Sequence, residues 1–244
     1  MNKKKRNILI STILSLLAIV FTILVKVVDV KQIGVNGTSI GFASINQFIF
    51  KTIGVNMIWY HITDWLGILP IFMAMVYSLI GIIQLIKRKS LFKVDKEIII
   101  LGLFYIVVIS IYIFFEKVIV NYRPILINGF LEASYPSSHT LMTICLCGSS
   151  IIVNKKLFNN KITKFINILL LLIILITVIG RLLSGVHWFT DIIGGIIISI
   201  ALLRILFAIL CKLWYNIRSS NFEHWQLHTV VFNQSIIFGW NDIY

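Results

Sequence analysis

The stretch Arg181–Asp191 places an arginine, a histidine and an aspartate between two long apolar segments. Charged side chains near lipid are costly, so a membrane protein rarely groups them at a helix boundary without a use. His187 and Asp191 are four residues apart, and in a helix both side chains would lie on one face. The carboxylate would then bind one imidazole nitrogen and leave the other as an oriented base or nucleophile. Arg181 is placed to hold an anion near that nitrogen.

The composition indicates a helical membrane protein. Of the 244 residues, 59% are hydrophobic, and the mean hydropathy is +0.97. These values exclude an ordinary soluble domain. The formal net charge is +13, but the basic residues form short clusters between apolar segments, which is typical of cytoplasmic loops and not of a nucleic-acid-binding surface. The three cysteines lie in apolar segments and are interpreted as packing residues, so we expect no metal site.

Six apolar segments predict the elements that position these residues. We predict transmembrane helices over 8–25, 65–86, 98–115, 140–153, 165–183 and 191–210. The segments 42–50 and 55–62 are too short to span, and predict helices on the membrane surface. His61 and Asp64 lie there, and we favour their facing water over a contact with a head group. The predicted fold is therefore all-α: a polytopic six-transmembrane-helix bundle with short extracytoplasmic helices.

The basic clusters set the orientation of this bundle. Lysine and arginine are concentrated before the first helix, between the second and third, between the fourth and fifth, and after the sixth. The positive-inside rule then places both termini in the cytoplasm. Three polar stretches, 117–124, 136–139 and 181–191, fall on the opposite side. They bring two arginines, a lysine, two histidines and a carboxylate to one face. A phosphate suits such a cationic pocket, and the helix that begins near Ser137 favours an anion with its free N–H groups.

Three motifs in these stretches resemble the signature motifs of the phosphatidic acid phosphatase type 2 superfamily, in its membrane-bound lipid phosphatase branch. They are Arg123-Pro124, Pro136-Ser137-Ser138-His139, and Arg181-x5-His187-x3-Asp191. The third motif is specific, because three reactive residues occur at fixed spacing. The resemblance covers roughly residues 65–210 and includes the six-helix order of the family's membrane members.

The sequence departs from the family pattern at three positions. The family has a lysine seven residues before the first-motif arginine, where this chain has Glu116, with Lys117 next to it. Ser138 replaces a glycine of the second motif, and Gly180 stands where a serine usually precedes Arg181. Lys117 lies about 100° further round a helix than Glu116. Two outcomes stay open: Lys117 reaches the phosphate in place of the missing lysine, or Glu116 pairs with Lys117 and weakens the site.

The resemblance implies a phosphatase that works through a phosphohistidine. His187 would attack phosphorus, and Asp191 would fix its tautomer. His139 would protonate the leaving oxygen and then take a proton from the attacking water. No metal or other cofactor is expected, because guanidinium groups supply the positive charge. The predicted phosphate-binding residues are Arg123, Arg181, Ser137, Ser138 and Lys117. Glu132 is interpreted as a solvated loop charge.

The function implied is hydrolysis of a lipid phosphate or diphosphate at the extracytoplasmic face of the plasma membrane. The first choice of substrate is undecaprenyl diphosphate, because the family supplies that carrier-recycling step of cell-wall synthesis. Phosphatidylglycerol phosphate and phosphatidate follow, and a lipid phosphotransferase would use the same residues. The expected partners are the lipid substrate and the bilayer, with no nucleic acid; the oligomeric state stays open.

The resemblance also divides the chain. Residues 1–64 would form the first transmembrane helix and an extracytoplasmic segment, 65–212 the phosphatase core of five helices, and 213–244 a cytoplasmic tail whose role the sequence does not indicate.

Two rival functions belong to other classes. A transporter or flippase would place titratable residues near the middle of the membrane and show an internal repeat. Here the charged residues lie at helix ends and the sequence shows no repeat.

A catalytically inactive protein that binds lipid phosphates would fit the presence of Glu116. A stable complex with a lipid phosphate, without phosphate release, would favour that function.

Overall fold

Eight α-helices account for most of the residues that the structure describes. The structure is a computed structural model that describes residues 3–158 and 160–220, apart from the side chains of 3, 4, 156 and 216–220. The helices are α1 Lys3–Val27, α2 Ala43–Ile53, α3 Met57–Leu66, α4 Ile68–Arg88, α5 Lys96–Lys117, α6 Ser138–Leu157, α7 Lys161–Ser184 and α8 Phe189–Ser220. Over the described ranges there is no β-strand, which confirms the all-α prediction.

The count of spanning helices differs slightly from the predicted six. Within the described part of the chain, five candidate spans are long and apolar enough to cross a membrane: Lys5–Val27, Met57–Arg88, Lys96–Lys117, Lys161–Ser184 and Phe189–Tyr215. The predicted span 140–153 corresponds to α6, which is not among them. Buried polar residues such as Ser149, Ser150 and Asn154 lower its hydropathy. Helix α6 is enclosed by protein, so it does not need an apolar surface.

The core of the bundle lies around α6 and α8. Leu141, Cys145 and Leu206 are almost fully buried there. A Cβ atom on Gly148 would lie 2.5 Å from Leu203 Cδ1, so these two helices approach at a glycine. Helices α1, α4 and α7 carry many exposed, large apolar side chains, which fits contact with lipid. This arrangement leaves α6 and α8 as the rigid centre from which the polar site is built.

The two short helices were predicted at 42–50 and 55–62, and they are α2 and α3. Helix α3 is part of the candidate span Met57–Arg88, and both short helices also make polar contacts with other helices. Asn46 of α2 donates to Thr190 Oγ1 (2.9 Å), and the Thr190 N–H donates back to Asn46 Oδ1 (3.1 Å). Asn56 caps α3, and its own N–H donates to the Ser184 carbonyl (3.0 Å). Both helices are therefore fixed to the end of α7 and the start of α8.

The predicted tail, 213–244, begins inside a helix. Helix α8 continues to Ser220, so residues 213–220 extend the last helix. Residues 221–244 lie outside the described residues. The division of the chain into three parts stays a prediction.

Candidate active site

His187 lies in the turn between α7 and α8. Helix α7 ends at Ser184, Gly185 follows with a left-handed φ of 67°, and α8 begins at Phe189. A residue with a positive φ ends a helix, and glycine adopts that conformation at the lowest cost. The stretch Arg181–Asp191 is therefore not one helix, so the condition under which His187 and Asp191 would share a helical face is not met. Asp191 is in the first turn of α8, and His187 precedes that turn.

Ser134 stands between His187 and Asp191. Its hydroxyl is 3.0 Å from His187 Nδ1 and donates to Asp191 Oδ2 at 2.5 Å. Its carbonyl oxygen is 3.1 Å from the same Nδ1. Among the hydrogen bonds of the described residues, none joins His187 to Asp191 directly. The carboxylate reaches the imidazole through Ser134, which the sequence did not indicate.

The same contact identifies the free nitrogen of His187. A carbonyl oxygen can only accept a hydrogen bond, so Nδ1 must carry the proton. In the neutral imidazole Nε2 then holds the lone pair. Nε2 is buried and has no hydrogen-bond partner. The geometry thus presents one unprotonated nitrogen without a protein partner, as a nucleophile requires.

Asp191 holds the connection between α5 and α6 against α8. Its side chain accepts from Asn121 Nδ2 (3.1 Å) and from the Trp188 N–H (3.0 Å), besides Ser134. Its main-chain carbonyl accepts from the Ser137 N–H (2.9 Å). The carboxylate is fully buried, so these three donors offset the cost of removing it from water.

Arg123 approaches the site from that connection. Its N–H donates to the Glu132 carbonyl (3.1 Å), and the chain folds back so that Tyr122 pairs with Ala133. Arg123 Nε is 3.1 Å from Glu132 Oε2, although the two are not aligned for a hydrogen bond. The side chain is 8% exposed, and Nη1 has no partner.

Arg181 and His139 share one carboxylate. Arg181 Nη2 donates to Asp64 Oδ1 at 3.1 Å, and His139 Nε2 lies 3.1 Å from the same oxygen. Arg181 is fully buried, and its guanidinium carbon lies 5.1 Å from the centre of the Tyr60 ring. Arg181 Nε and Nη1 have no partner. Two guanidinium groups at this site therefore keep unpaired, buried N–H donors.

The start of α6 lies beside these donors. Ser137 is the N-cap and is fully buried, and its hydroxyl accepts from Thr140 Oγ1 (3.1 Å). Ser138 and His139 form the first turn, where N–H groups have no partner inside the helix. The helix dipole adds a partial positive charge at the same point. This end of α6 is suited to an anion.

A small cavity connects the end of α5 with His187. It measures about 10 Å³, which is room for roughly one water molecule. Its lining includes Glu116, Ser134, Ser138 and His187. Lys117 is not one of the described residues that line this cavity. Lys117 is an exposed residue at the end of α5. Its proposed contact with a phosphate stays a prediction, and Glu116 is the end-of-helix residue that faces the site.

The electrostatics keep His187 neutral. Burial lowers its pKa well below the usual 6.5, and the positive charges of Arg123 and Arg181 and the neighbouring His139 lower the pKa further. All three of those groups were predicted from the motifs, and all three act on the same imidazole. At neutral pH the Nε2 lone pair is therefore available.

Three residues of the site were not predicted. Asp64 and Glu132 were expected to face water. Their side chains are 49% and 42% exposed, and each also lies beside a buried arginine. Ser134 precedes the second motif by two positions, and nothing in its spacing sets it apart from any other loop serine. The sequence shows both acidic residues as charges near the polar stretches. It does not show that they contact Arg181 and Arg123.

Two comparisons with known proteins concern the family and the fold of this chain. Residues 98–215 match the family model of the PAP2 superfamily, the phosphatidic acid phosphatase type 2 family. The fold resembles the crystal structure of the first transmembrane PAP2 type phosphatidylglycerolphosphate phosphatase from Bacillus subtilis, with a TM-score of 0.53 and 19% sequence identity; the match covers 89% of this chain and 98% of that one. None of the curated proteins compared with the sequence matches it. The matched stretch, residues 98–215, holds all three motifs, which confirms the resemblance of this chain to the PAP2 superfamily.

Proposed function

We propose that this protein is a membrane lipid phosphatase that hydrolyses a phosphate or diphosphate ester of a lipid. One observation carries the proposal. Buried N–H donors of Arg123 and Arg181 without a hydrogen-bond partner occur together with Nε2 of His187, which also has no partner. Buried polar groups without protein partners are rare in folded proteins, and at a functional site they indicate that the groups bind a ligand. A tetrahedral anion that accepts from both arginines would satisfy these donors.

The proposed reaction begins at His187. Nε2 attacks phosphorus, a P–N bond forms, and the bond from phosphorus to the leaving oxygen breaks. Nδ1 keeps its proton, which the Ser134 carbonyl accepts in a hydrogen bond, and the buried Asp191 carboxylate stabilises the charged imidazole through the Ser134 hydroxyl. His139 protonates the leaving oxygen. The two arginines and the first turn of α6 neutralise the oxygens of the phosphoryl group, and positioning and charge supply most of the rate enhancement.

Water completes the proposed reaction. It attacks the phosphohistidine, His139 takes its proton, and the P–N bond breaks to release phosphate and restore His187. The arginines and the helix start supply the positive charge throughout, so the proposed mechanism calls for no metal ion. Ser137, Ser138 and Lys117 are proposed as further phosphate-binding residues.

Undecaprenyl diphosphate is the first proposed substrate. The family supplies this carrier-recycling step, and the concentration of basic residues at the opposite helix ends supports a site on the extracytoplasmic face, with both termini in the cytoplasm of a plasma-membrane protein. Phosphatidylglycerol phosphate is the second candidate, because the similar fold belongs to a protein described as a phosphatase of that lipid. Phosphatidate hydrolysis and phosphotransfer to another acceptor use the same residues.

The test is phosphate release in detergent with EDTA present. The panel contains undecaprenyl diphosphate, phosphatidylglycerol phosphate and phosphatidate, and the wild type is compared with His187→Ala. The matched control is His61→Ala, because His61 is an exposed histidine on α3. We expect release by the wild type and the control, and loss with His187→Ala. An acid-labile phosphoprotein should accumulate when the reaction is quenched early.

Other outcomes separate the alternatives. Release that disappears with EDTA contradicts the metal-free mechanism. Stable binding of a phosphate lipid by folded wild type, without release, indicates an inactive binding protein. Product formed on an added alcohol, in place of free phosphate, indicates a phosphotransferase.

A further inference from the structure

Asp64 contacts two predicted site residues with a single oxygen. Its Oδ1 accepts from Arg181 Nη2 at 3.1 Å and lies 3.1 Å from His139 Nε2. Asp64 is in the last turn of α3, outside the three sequence motifs and outside residues 98–215. The contact therefore adds an element to the site that the family model does not cover.

The pair with Arg181 is unlike an ordinary surface salt bridge. The Asp64 side chain is 49% exposed, and exposed pairs contribute little because water screens them. Arg181, however, is fully buried. A buried charge needs a partner, and removal of that partner is strongly destabilising. Among the described residues, Asp64 provides the carboxylate that lies within ion-pair distance of Arg181.

Residues of helix α3 pack against Arg181. The Tyr60 ring lies against the guanidinium group. A Cβ atom on Gly180, the residue before Arg181, would lie 2.4 Å from Thr63 Cγ2 and 3.0 Å from Trp59 Cε3. The glycine at position 180 thus lets α3 pack close to α7, which brings Asp64 within reach of Arg181.

The corner between α3 and α4 also holds the His139 ring. A Cβ atom on Gly67 would lie 3.1 Å from His139 Cδ2, so the ring packs on the backbone of that corner. A carboxylate only accepts hydrogen bonds, so the pair with Asp64 requires a proton on His139 Nε2. Burial and the charge of Arg181 lower the pKa of His139 to about 4, and the charge and hydrogen bond of Asp64 act in the opposite direction. Asp64 therefore favours the imidazolium form, which is the form a general acid needs.

We propose that Asp64 is a positioning residue of the active site, which orients His139 and favours its imidazolium form for proton donation, and which keeps the buried Arg181 directed at the phosphoryl group. This inference rests on the proposed phosphatase function. Asp64 acts through its two partners, and it remains a carboxylate throughout. In the step it supports, His187 Nε2 bonds to phosphorus, the bond to the leaving oxygen breaks, and the His139 proton goes to that oxygen.

The nature of the leaving group makes the role testable. An alkyl alkoxide is a poor leaving group and depends on proton donation, whereas 4-nitrophenolate leaves without a proton. Loss of general-acid help should therefore slow an alkyl phosphate much more than an aryl phosphate. A purely structural role, or loss of Arg181 alone, would slow both substrates by similar factors.

The experiment measures kcat and KM of full-length protein in detergent with dodecyl phosphate and 4-nitrophenyl phosphate. For Asp64→Asn we expect kcat to fall about 100-fold on dodecyl phosphate, the lower range for general acid catalysis, and about tenfold or less on 4-nitrophenyl phosphate. Asp64→Glu should recover part of the loss on dodecyl phosphate, because it keeps the charge. The matched control is Asp29→Asn, since Asp29 is a carboxylate paired with Lys31 (3.0 Å). The control should leave both rates unchanged.

The other possible results of this experiment contradict either the role of Asp64 or the phosphatase function. Equal losses on the two substrates, or no loss with Asp64→Asn, overturn the role of Asp64 and leave the phosphatase function in place. Turnover of neither substrate and of no lipid in the earlier panel, by folded wild type, overturns the function and this inference with it. If Asp64→Asn does not fold, the test rests on Asp64→Glu. The carboxylate of that variant is displaced, so turnover of dodecyl phosphate should still fall more than turnover of 4-nitrophenyl phosphate.

Discussion

The Ser134 carbonyl oxygen lies 3.1 Å from Nδ1 of His187, and the Ser134 hydroxyl joins that imidazole to Asp191. One residue therefore sets the tautomer with its main chain and connects the buried carboxylate with its side chain. The arrangement keeps Nε2 free while the imidazole is neutral, and supports it once it carries a positive charge.

Removal of the Ser134 hydroxyl should reduce activity and leave it measurable. In Ser134→Ala the carbonyl contact remains, so the tautomer is kept, but the hydrogen bond to Asp191 is lost. A hydrogen bond of this kind contributes about 1–2 kcal/mol, so we expect kcat to fall roughly tenfold. Ser110→Ala is the control, because that hydroxyl donates within α5 to the Ile106 carbonyl at an exposed position. A loss as large as that of His187→Ala would contradict the separate roles of main chain and hydroxyl.

The pH dependence should reflect the lowered pKa of His187. The neutral imidazole is the nucleophile, so activity is present above its pKa and lost as the pH falls through it. Because burial and the charges of Arg123 and Arg181 lower that pKa below 6.5, the acidic limb of kcat/KM should lie below pH 6.5. Arg123→Gln removes one of those charges and should move the limb to higher pH, besides lowering the rate.

A profile of kcat/KM from pH 4 to 8 measures both effects. An acidic limb at or above pH 6.5 in the wild type would argue against a neutral, buried His187. A limb that does not move in Arg123→Gln would mean that Arg123 does not act on this imidazole.

Replacement of Glu116 by lysine should improve binding of the phosphate. Glu116 lines the small cavity beside His187, at the position where the family has a lysine. A carboxylate there repels a phosphate dianion, and a lysine would attract it. We expect KM for the preferred lipid to fall about fivefold to tenfold in Glu116→Lys, with a smaller change in Glu116→Gln. Lys117→Ala tests the neighbouring lysine, and a loss of activity greater than tenfold there would assign the missing cation to Lys117.

Gly185 should tolerate no side chain. Its φ of 67° is unfavourable for other residues, and a Cβ atom would lie 2.1 Å from the Gly54 carbonyl oxygen. Gly185→Ala should lower the free energy of unfolding by about 1–3 kcal/mol and reduce activity, because this turn places His187. Thermal unfolding in detergent measures the loss. Gly102→Ala is the control, since its Cβ atom would meet nothing within 4 Å; a similar loss there would contradict the explanation.

The sequence by itself determined the helices and the motif residues. Long apolar segments must form helices in a membrane, because every backbone polar group there needs an internal partner. The spacing of Arg181, His187 and Asp191, with Arg123 and His139 on the same side, was sufficient to predict a phosphate site. The alternating direction of the helices follows from the same pattern, since each basic cluster marks one end.

Only the tertiary structure decided how those residues contact one another. Asp64 and Arg181 are 117 positions apart, and a contact over that distance leaves no local pattern in the sequence. Ser134 enters between His187 and Asp191 because Gly185 ends α7 and moves His187 off the helical face. Helix α6 could be polar because other helices enclose it, and that packing is a property of the whole bundle. Spacing along the chain thus fixed which residues could react, and packing between distant segments fixed what orients them.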